Sequence, residues 1–110
     1  MVDNLNPMSE SLELKSQGAD GPWLVYMVEC RDGSLYTGIT NDLERRLSQH
    51  NDGTGARYTR SRRPVTLRYQ ELCENRSAAL VRECSVRLLS PKEKWALIAA
   101  HGGPSARAER

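Results

Sequence analysis

Between Tyr36 and Asn51 the chain changes its period, and that change limits what it can fold into. Tyr36-Thr37-Gly38-Ile39-Thr40 has the β-branched and aromatic content of a short strand. From Asn41 onward the spacing is helical. Asn41 stands three residues before Glu44, the separation of a reciprocal N-terminal cap. Leu43, Arg46, Leu47 and His50 then follow i, i+3, i+4, i+7 and share one face. The two leucines are ordinary core residues. Arg46 and His50 beside them have two readings. One is a helix edge where Arg46 lies over apolar surface with its head in water; the other is a cation held at the rim of a cleft to grip an anion such as phosphate.

The flanking segments extend the pattern. Trp23 to Cys30 is short and mostly apolar, as a strand buried on both faces would be. Arg31-Asp32-Gly33-Ser34 is a turn signal, so strands over 23–30 and 35–40 form a hairpin. A helix over 42–50 leads to Asp52-Gly53-Thr54-Gly55-Ala56-Arg57, a flexible loop with two glycines. Pro64 precedes an alternating third strand, Val65 to Gln70. A helix from about Ser77 to Leu89 presents Leu80, Cys84 and Leu88 on one face, with Ala79, Glu83 and Val86 alongside. Ser90-Pro91-Lys92-Glu93 restarts a helix with cap, proline and glutamate in place, and Trp95 and Ile98 anchor it in the core. His101-Gly102-Gly103-Pro104 ends it. The order β-β-α-β-α-α predicts an α/β (α+β) fold, a small three-stranded antiparallel sheet flanked by helices.

A chain of 110 residues is one domain with a single modest core. Residues 22–101 carry the periodic segments; 1–21 and 102–110 are polar and aperiodic, read as a disordered leader and tail. No run approaches the roughly 18 apolar residues of a membrane span, and the N-terminus lacks a signal-peptide pattern. A cytoplasmic protein is the expectation. Cys30, Cys73 and Cys84 are widely spaced and form no Cys-x-x-Cys pair, so reduced thiols are expected rather than disulfides or zinc. Net charge is only +2. Its distribution is uneven, because seven arginines against three acids give residues 41–70 a net +4. An arginine-rich segment suits a polyanion such as nucleic acid, or is simply a solvated basic face.

Four elements therefore carry polar residues that packing does not require: Tyr26, Tyr36, Arg46 with His50, and Glu83. In this order they resemble the GIY-YIG nuclease family. The paired motifs stand as Leu24-Val25-Tyr26 and Tyr36-Thr37-Gly38, the first keeping only its tyrosine. Arg46 and His50 match the first helix's arginine and the frequent histidine four residues on, and Glu83 the lone glutamate of a later helix. The resemblance runs from about Trp23 to Ile98 and is nearest to short stand-alone bacterial members of the UPF0213 type. Gly55-Ala56-Arg57-Tyr58-Thr59 and Arg63-Pro64-Val65 fall where such proteins carry similar residues. The same catalytic domain occurs in excision-repair UvrC.

The resemblance implies a metal-dependent endonuclease that hydrolyses DNA phosphodiester bonds with low sequence specificity. Branched, nicked or single-stranded DNA is the implied substrate, with a role in repair or recombination and a protein partner conferring specificity. It implies that Glu83 holds a single Mg²⁺ or Mn²⁺, Arg46 grips a non-bridging oxygen, Tyr26 is the general base, Tyr36 orients water and His50 assists. An unperturbed tyrosine is ionised about one part in a thousand at pH 7, so Tyr26 needs help from its surroundings. Arg57, Arg60, Arg62 and Arg63 would lie along the phosphate backbone, with Tyr58 stacking on an exposed base. The alternative is a non-catalytic nucleic-acid-binding adaptor with a vestigial site.

Strand alternation adds a geometric requirement. Tyr26 and Tyr36 share a face only if opposing residue numbers across the hairpin sum to an even value. A two-residue turn at Asp32-Gly33 would separate them. An odd loop or a bulge would bring them together, and that is the prediction, with Gly38 clearing space beside Tyr26.

Overall fold

The computed structural model describes residues 22–101. Strands β1 (Trp23–Glu29), β2 (Leu35–Thr40) and β3 (Thr66–Cys73) form one antiparallel sheet in the order β2-β1-β3. Helices α1 (Leu43–Asp52) and α2 (Arg57–Arg60) lie between β2 and β3 in sequence, and α3 (Arg76–Arg87) and α4 (Pro91–Ala100) follow β3. The predicted order holds, with α2 as an extra helical turn where a loop was expected. The expected leader and tail lie outside the described residues. Among the described residues no helix is long and apolar enough to cross a membrane, and all three cysteines are free.

The hairpin turn decides what the sheet can present. Tyr26 opposes Gly38 and Val28 opposes Tyr36, so both tyrosines fall on one face. The loop has an odd count, Arg31-Asp32-Gly33. Cys30 accepts from the Gly33 N–H at 2.9 Å and donates its own N–H to Ser34 at 2.8 Å. Gly33 sits at φ +88°, where a side chain would be strained. Asp32 stiffens the turn by accepting from both the backbone N–H and the hydroxyl of Ser34.

The sheet separates two apolar clusters. On the tyrosine face Tyr26, Val28, Cys30 and Val65 pack with Leu43 and Leu47 of α1. On the opposite face Met27, Tyr69, Val86 and Ile98 pack with Trp95 and Leu97, so α3 and α4 cover it. Val25, Met27 and Val28 are fully buried, which is the two-sided burial expected of β1. At roughly 1.5–3 kcal/mol for each such side chain, this strand is the centre of the hydrophobic stabilisation.

Three local expectations need correction. The cap of α1 is Asp42, which accepts from Arg45 N; Asn41 lies one residue too early, and Glu44 has no reciprocal role. The inner face of α3 is Ala79, Glu83 and Val86, whereas Leu80, Cys84 and Leu88 face outward, Leu88 with 74% of its surface exposed. Small Ala79 allows close approach to the sheet; the leucine stripe sits one step round the helix. The segment 52–57 folds tightly on α1, with Gly53 capping it at φ +91°. The Ser90–Glu93 capping box of α4 forms as predicted, with Pro91 in its first turn.

Candidate active site

On the tyrosine face, α1 lowers His50 into the core, where it is completely buried. Its two ring nitrogens each meet a hydroxyl: Nδ1 lies 2.7 Å from Thr59 Oγ1 and Nε2 lies 2.7 Å from the Tyr26 oxygen. Thr59 gives its single hydroxyl proton to the Ala56 carbonyl at 3.0 Å. With that proton placed on the carbonyl its oxygen accepts, which assigns the His50 proton to Nδ1. Nε2 is left as a lone pair, and Tyr26 donates to it. Burial first, then the Arg46 charge, lowers the His50 pKa from 6.5 to about 4, which keeps the ring neutral. Gly55 makes room for this histidine, since a Cβ there would lie 2.7 Å from Nδ1 and 2.9 Å from the His50 Cα.

Arg46, one turn earlier on α1, is half-buried. Its Nε donates to the Tyr26 oxygen over a long 3.4 Å and its Nη1 to Gln49 Oε1 at 3.0 Å. It makes no ion pair with any described residue, so its charge is available to a ligand. One directed chain thus links Arg46 to Tyr26, His50, Thr59 and the Ala56 carbonyl.

The two phenols differ sharply. Tyr26 is 1% exposed, and burial raises its pKa against the opposing hydrogen bond and charge of Arg46. Tyr36 is half-buried, and its hydroxyl bonds to no described residue. Its ring meets the His50 ring edge-on at 5.4 Å and lies near-parallel to Tyr58 at 5.9 Å. Burial bears on the expected role of Tyr26 as general base: its ring is closed to solvent, and its oxygen lies 2.7 Å from His50 Nε2. Tyr58, expected to stack on a base, has the Arg62 guanidinium 4.0 Å from its ring centroid and the Tyr36 ring stacked at 5.9 Å.

Glu83 stands apart from the other four. It lies on α3, which packs on the opposite face of the sheet. Its side chain is 18% exposed, directed inward with Ala79 and Val86, and accepts from Arg87 at 3.0 Å. The other neighbouring cation, Arg82, pairs with Glu71 on β3 instead. No hydrogen bond or ion pair links Glu83 to Tyr26, Tyr36, Arg46 or His50.

Of the basic set, Arg57 and Arg60 are exposed and make no ion pair with a described residue. Arg62 pairs with Asp32 at 3.0 Å, and Arg63 donates to the Arg60 carbonyl. Sequence reading missed two residues. Arg31 joins Arg60 and Arg63 in lining an open cleft with Asn51, Ser61 and Pro64. Thr59 completes the His50 chain. Arg31 reads as a turn residue, and Thr59 stands in the Gly55–Thr59 stretch that resembles the family but carries no role in it.

A family model described as the GIY-YIG catalytic domain matches residues 22–94. The chain is 54% identical over 79 residues to a UPF0213 protein of Desulfotalea psychrophila, covering 71% of this chain and 72% of that one. A UPF0213 protein of Halobacterium salinarum is 51% identical over 73 residues, covering 66% and 95%. Among solved structures, the solution NMR structure of a UPF0213 protein of Bacillus halodurans superimposes with a TM-score of 0.50 at 41% identity, covering 76% of this chain and 88% of that one. A second NMR structure, of the protein EF2693 from E. faecalis, gives 0.51 at 40% identity, covering 73% and 86%.

Proposed function

The chain belongs to the GIY-YIG catalytic domain family, a nuclease family, and on that premise we propose that it is a divalent-metal-dependent endonuclease acting on DNA with little sequence preference. The observation carrying this reading is Arg46: a half-buried guanidinium with no described carboxylate partner, tied to a buried phenol beside a second, solvent-facing one. A cation so held is complementary to a phosphate, and most of the barrier to phosphodiester hydrolysis is overcome by positioning and charge stabilisation.

In the reaction, water attacks phosphorus in line with the departing 3′ oxygen. Arg46 holds a non-bridging oxygen and offsets the charge that grows there. Tyr36 is the phenol that meets water and orients it, since Tyr26 is closed to solvent, and the proton that the attacking water loses passes to solvent. Tyr26 and His50 hold Arg46 and exclude water behind it. Glu83 is the carboxylate for the metal. Among the described residues no cluster of three acids, histidines or cysteines could form a cage. A lone inward-facing carboxylate instead fits one Mg²⁺ or Mn²⁺ that keeps most of its waters. Such an ion, when bound, would supply positive charge to offset that growing on the reacting phosphate.

Arg57 and Arg60, with Arg31 and Arg63 along the adjoining cleft, track the phosphate backbone without reading bases. This suits branched, nicked or single-stranded DNA and a role in repair or recombination, with sequence selectivity left to a protein partner. The engagement of Glu83 by Arg87 favours one competing reading, a DNA-binding adaptor that does not cleave.

Nicking of supercoiled plasmid and of flap and junction substrates, with Mn²⁺, Mg²⁺ or EDTA, separates the two. Glu83→Gln should reduce cleavage at least about 100-fold while leaving DNA affinity within a few-fold. Its stability should barely change, because an i, i+4 pair contributes only about 0.3–0.5 kcal/mol. Wild type no faster than Glu83→Gln under every condition establishes the adaptor.

A further inference from the structure

We infer that Thr59 is a positioning residue for the phosphate-binding arginine, acting through the tautomer of His50 and the hydroxyl of Tyr26. The inference rests on Arg46 being the group that meets phosphate, and it adds a residue outside the set of two tyrosines, arginine, histidine and glutamate.

Donation runs in one direction along the chain of side chains. Arg46 Nε–H can only donate, so the Tyr26 oxygen accepts from it and sends its own proton to His50 Nε2; at the other end the Thr59 hydroxyl has the Ala56 carbonyl as its acceptor. Thr59 Oγ1 must then accept from His50 Nδ1–H. A neutral imidazole with its proton on Nδ1 presents a bare Nε2, which takes the Tyr26 hydroxyl proton. The Tyr26 oxygen, having given its proton away, turns a lone pair toward Arg46 Nε. Each link leaves the next with one orientation. Thr59, His50 and Tyr26 are 0%, 0% and 1% exposed, so water cannot substitute for any of them. Reverse the tautomer, and Nε2–H points at the phenol. The phenol must then swing its own proton toward Arg46, where two donors face each other and the guanidinium loses its anchor. The packing around His50 is set separately, by Gly55 and by the Tyr36 ring. Thr59 therefore carries the polarity of the chain rather than its volume.

Thr59→Val keeps the shape and removes the hydroxyl; Thr59→Ser keeps the hydroxyl and removes a methyl. Two readouts on the full chain test the inference. The first is the long-range ¹H–¹⁵N spectrum of the His50 ring, which reports which nitrogen carries the proton. The second is single-turnover and steady-state cleavage of nicked or flap DNA with Mn²⁺. Wild type should show Nδ1 protonated and Nε2 bare. Thr59→Val should populate the other tautomer and lower kcat roughly 10- to 100-fold with KM within about twofold, the scale of a misplaced catalytic group. Thr59→Ser should restore both. Thr59→Ala stands in if the valine variant does not fold.

A wild-type ring protonated at Nε2 overturns the inference, as does a Thr59→Val enzyme with unchanged tautomer and unchanged kcat. If the wild type cleaves normally and only these comparisons fail, the nuclease reading survives. If the wild type cleaves nothing, the nuclease reading falls and the catalytic use of the chain falls with it, while the ring spectrum still decides whether Thr59 sets the tautomer.

Discussion

Replacing Gly38 with alanine sets a single methyl group against a phenol that has nowhere to go. A Cβ at position 38 would lie 2.6 Å from the Tyr26 oxygen, 2.8 Å from Cζ and 3.0 Å from Cε2. The described glycines with positive φ are Gly33 and Gly53, so Gly38 carries no backbone strain of its own and the penalty is steric. Tyr26 cannot swing clear, because its oxygen is tied to His50 and Arg46 and its ring is enclosed by core. Overpacking of this kind costs about 1–3 kcal/mol. Pulling the phenol off His50 Nε2 adds about 1 kcal/mol for a weakened buried hydrogen bond. The expected loss is thus about 2–4 kcal/mol, or a melting temperature lower by something on the order of 10–20 °C for a domain of this size. Urea denaturation of Gly38→Ala, Tyr26→Phe and the double variant measures it. Tyr26→Phe removes the nearest atom in the clash, so the double variant should be more stable than the sum of the singles implies, by about 1–2 kcal/mol. A Gly38→Ala protein within 0.5 kcal/mol of wild type would refute the reasoning. A penalty that persists undiminished in the Tyr26→Phe background would refute the part assigned to the oxygen.

Two further outcomes follow from the same face. The His50 pKa is depressed from 6.5 to about 4 by burial and then by Arg46, so the unfolded chain binds the extra proton first. Stability from this group is full above pH 6.5 and is lost as pH falls toward 4, by about 3 kcal/mol in all; urea midpoints at pH 7.5 and 4.5 should show that loss in wild type and lack it in His50→Gln. Removing Arg57 and Arg60 together should weaken DNA binding uniformly across sequences and reduce the salt slope of log K by about 1.8 on duplex DNA. Arg62→Ala should cost less affinity per charge, because Asp32 already pairs with it; fluorescence anisotropy over a salt series reads both, and equal slopes for the three arginines would contradict the assignment.

How legible these features were depended on the distance over which each is decided. The Ser90–Glu93 cap of α4 formed as read because all its atoms lie within one turn. Asn41 failed as a cap by one residue, since Asp42 offers the same chemistry and its side chain is the one that accepts from Arg45 N. For α3 the helical wheel carried apolar residues on two neighbouring arcs. The sheet selected the arc with Ala79 and Val86, and the larger leucines were left in solvent. A wheel ranks hydrophobicity and says nothing about how closely a helix must approach.

The candidate site divides in the same way. Residue type and spacing together with the family resemblance brought out Tyr26, Tyr36, Arg46, His50 and Glu83, and strand parity required an odd turn if the phenols were to meet. Only the tertiary structure separated a buried phenol from a solvent-facing one, gave Arg62 to Asp32, put Glu83 on the far layer and brought Thr59 to His50 across a glycine loop. Periodicity and capping are encoded by neighbours along the chain, so a sequence carries them. Proton position, burial and ion pairing depend on the local dielectric and on atoms brought together by folding, and those exist only once the sheet and its helices have packed.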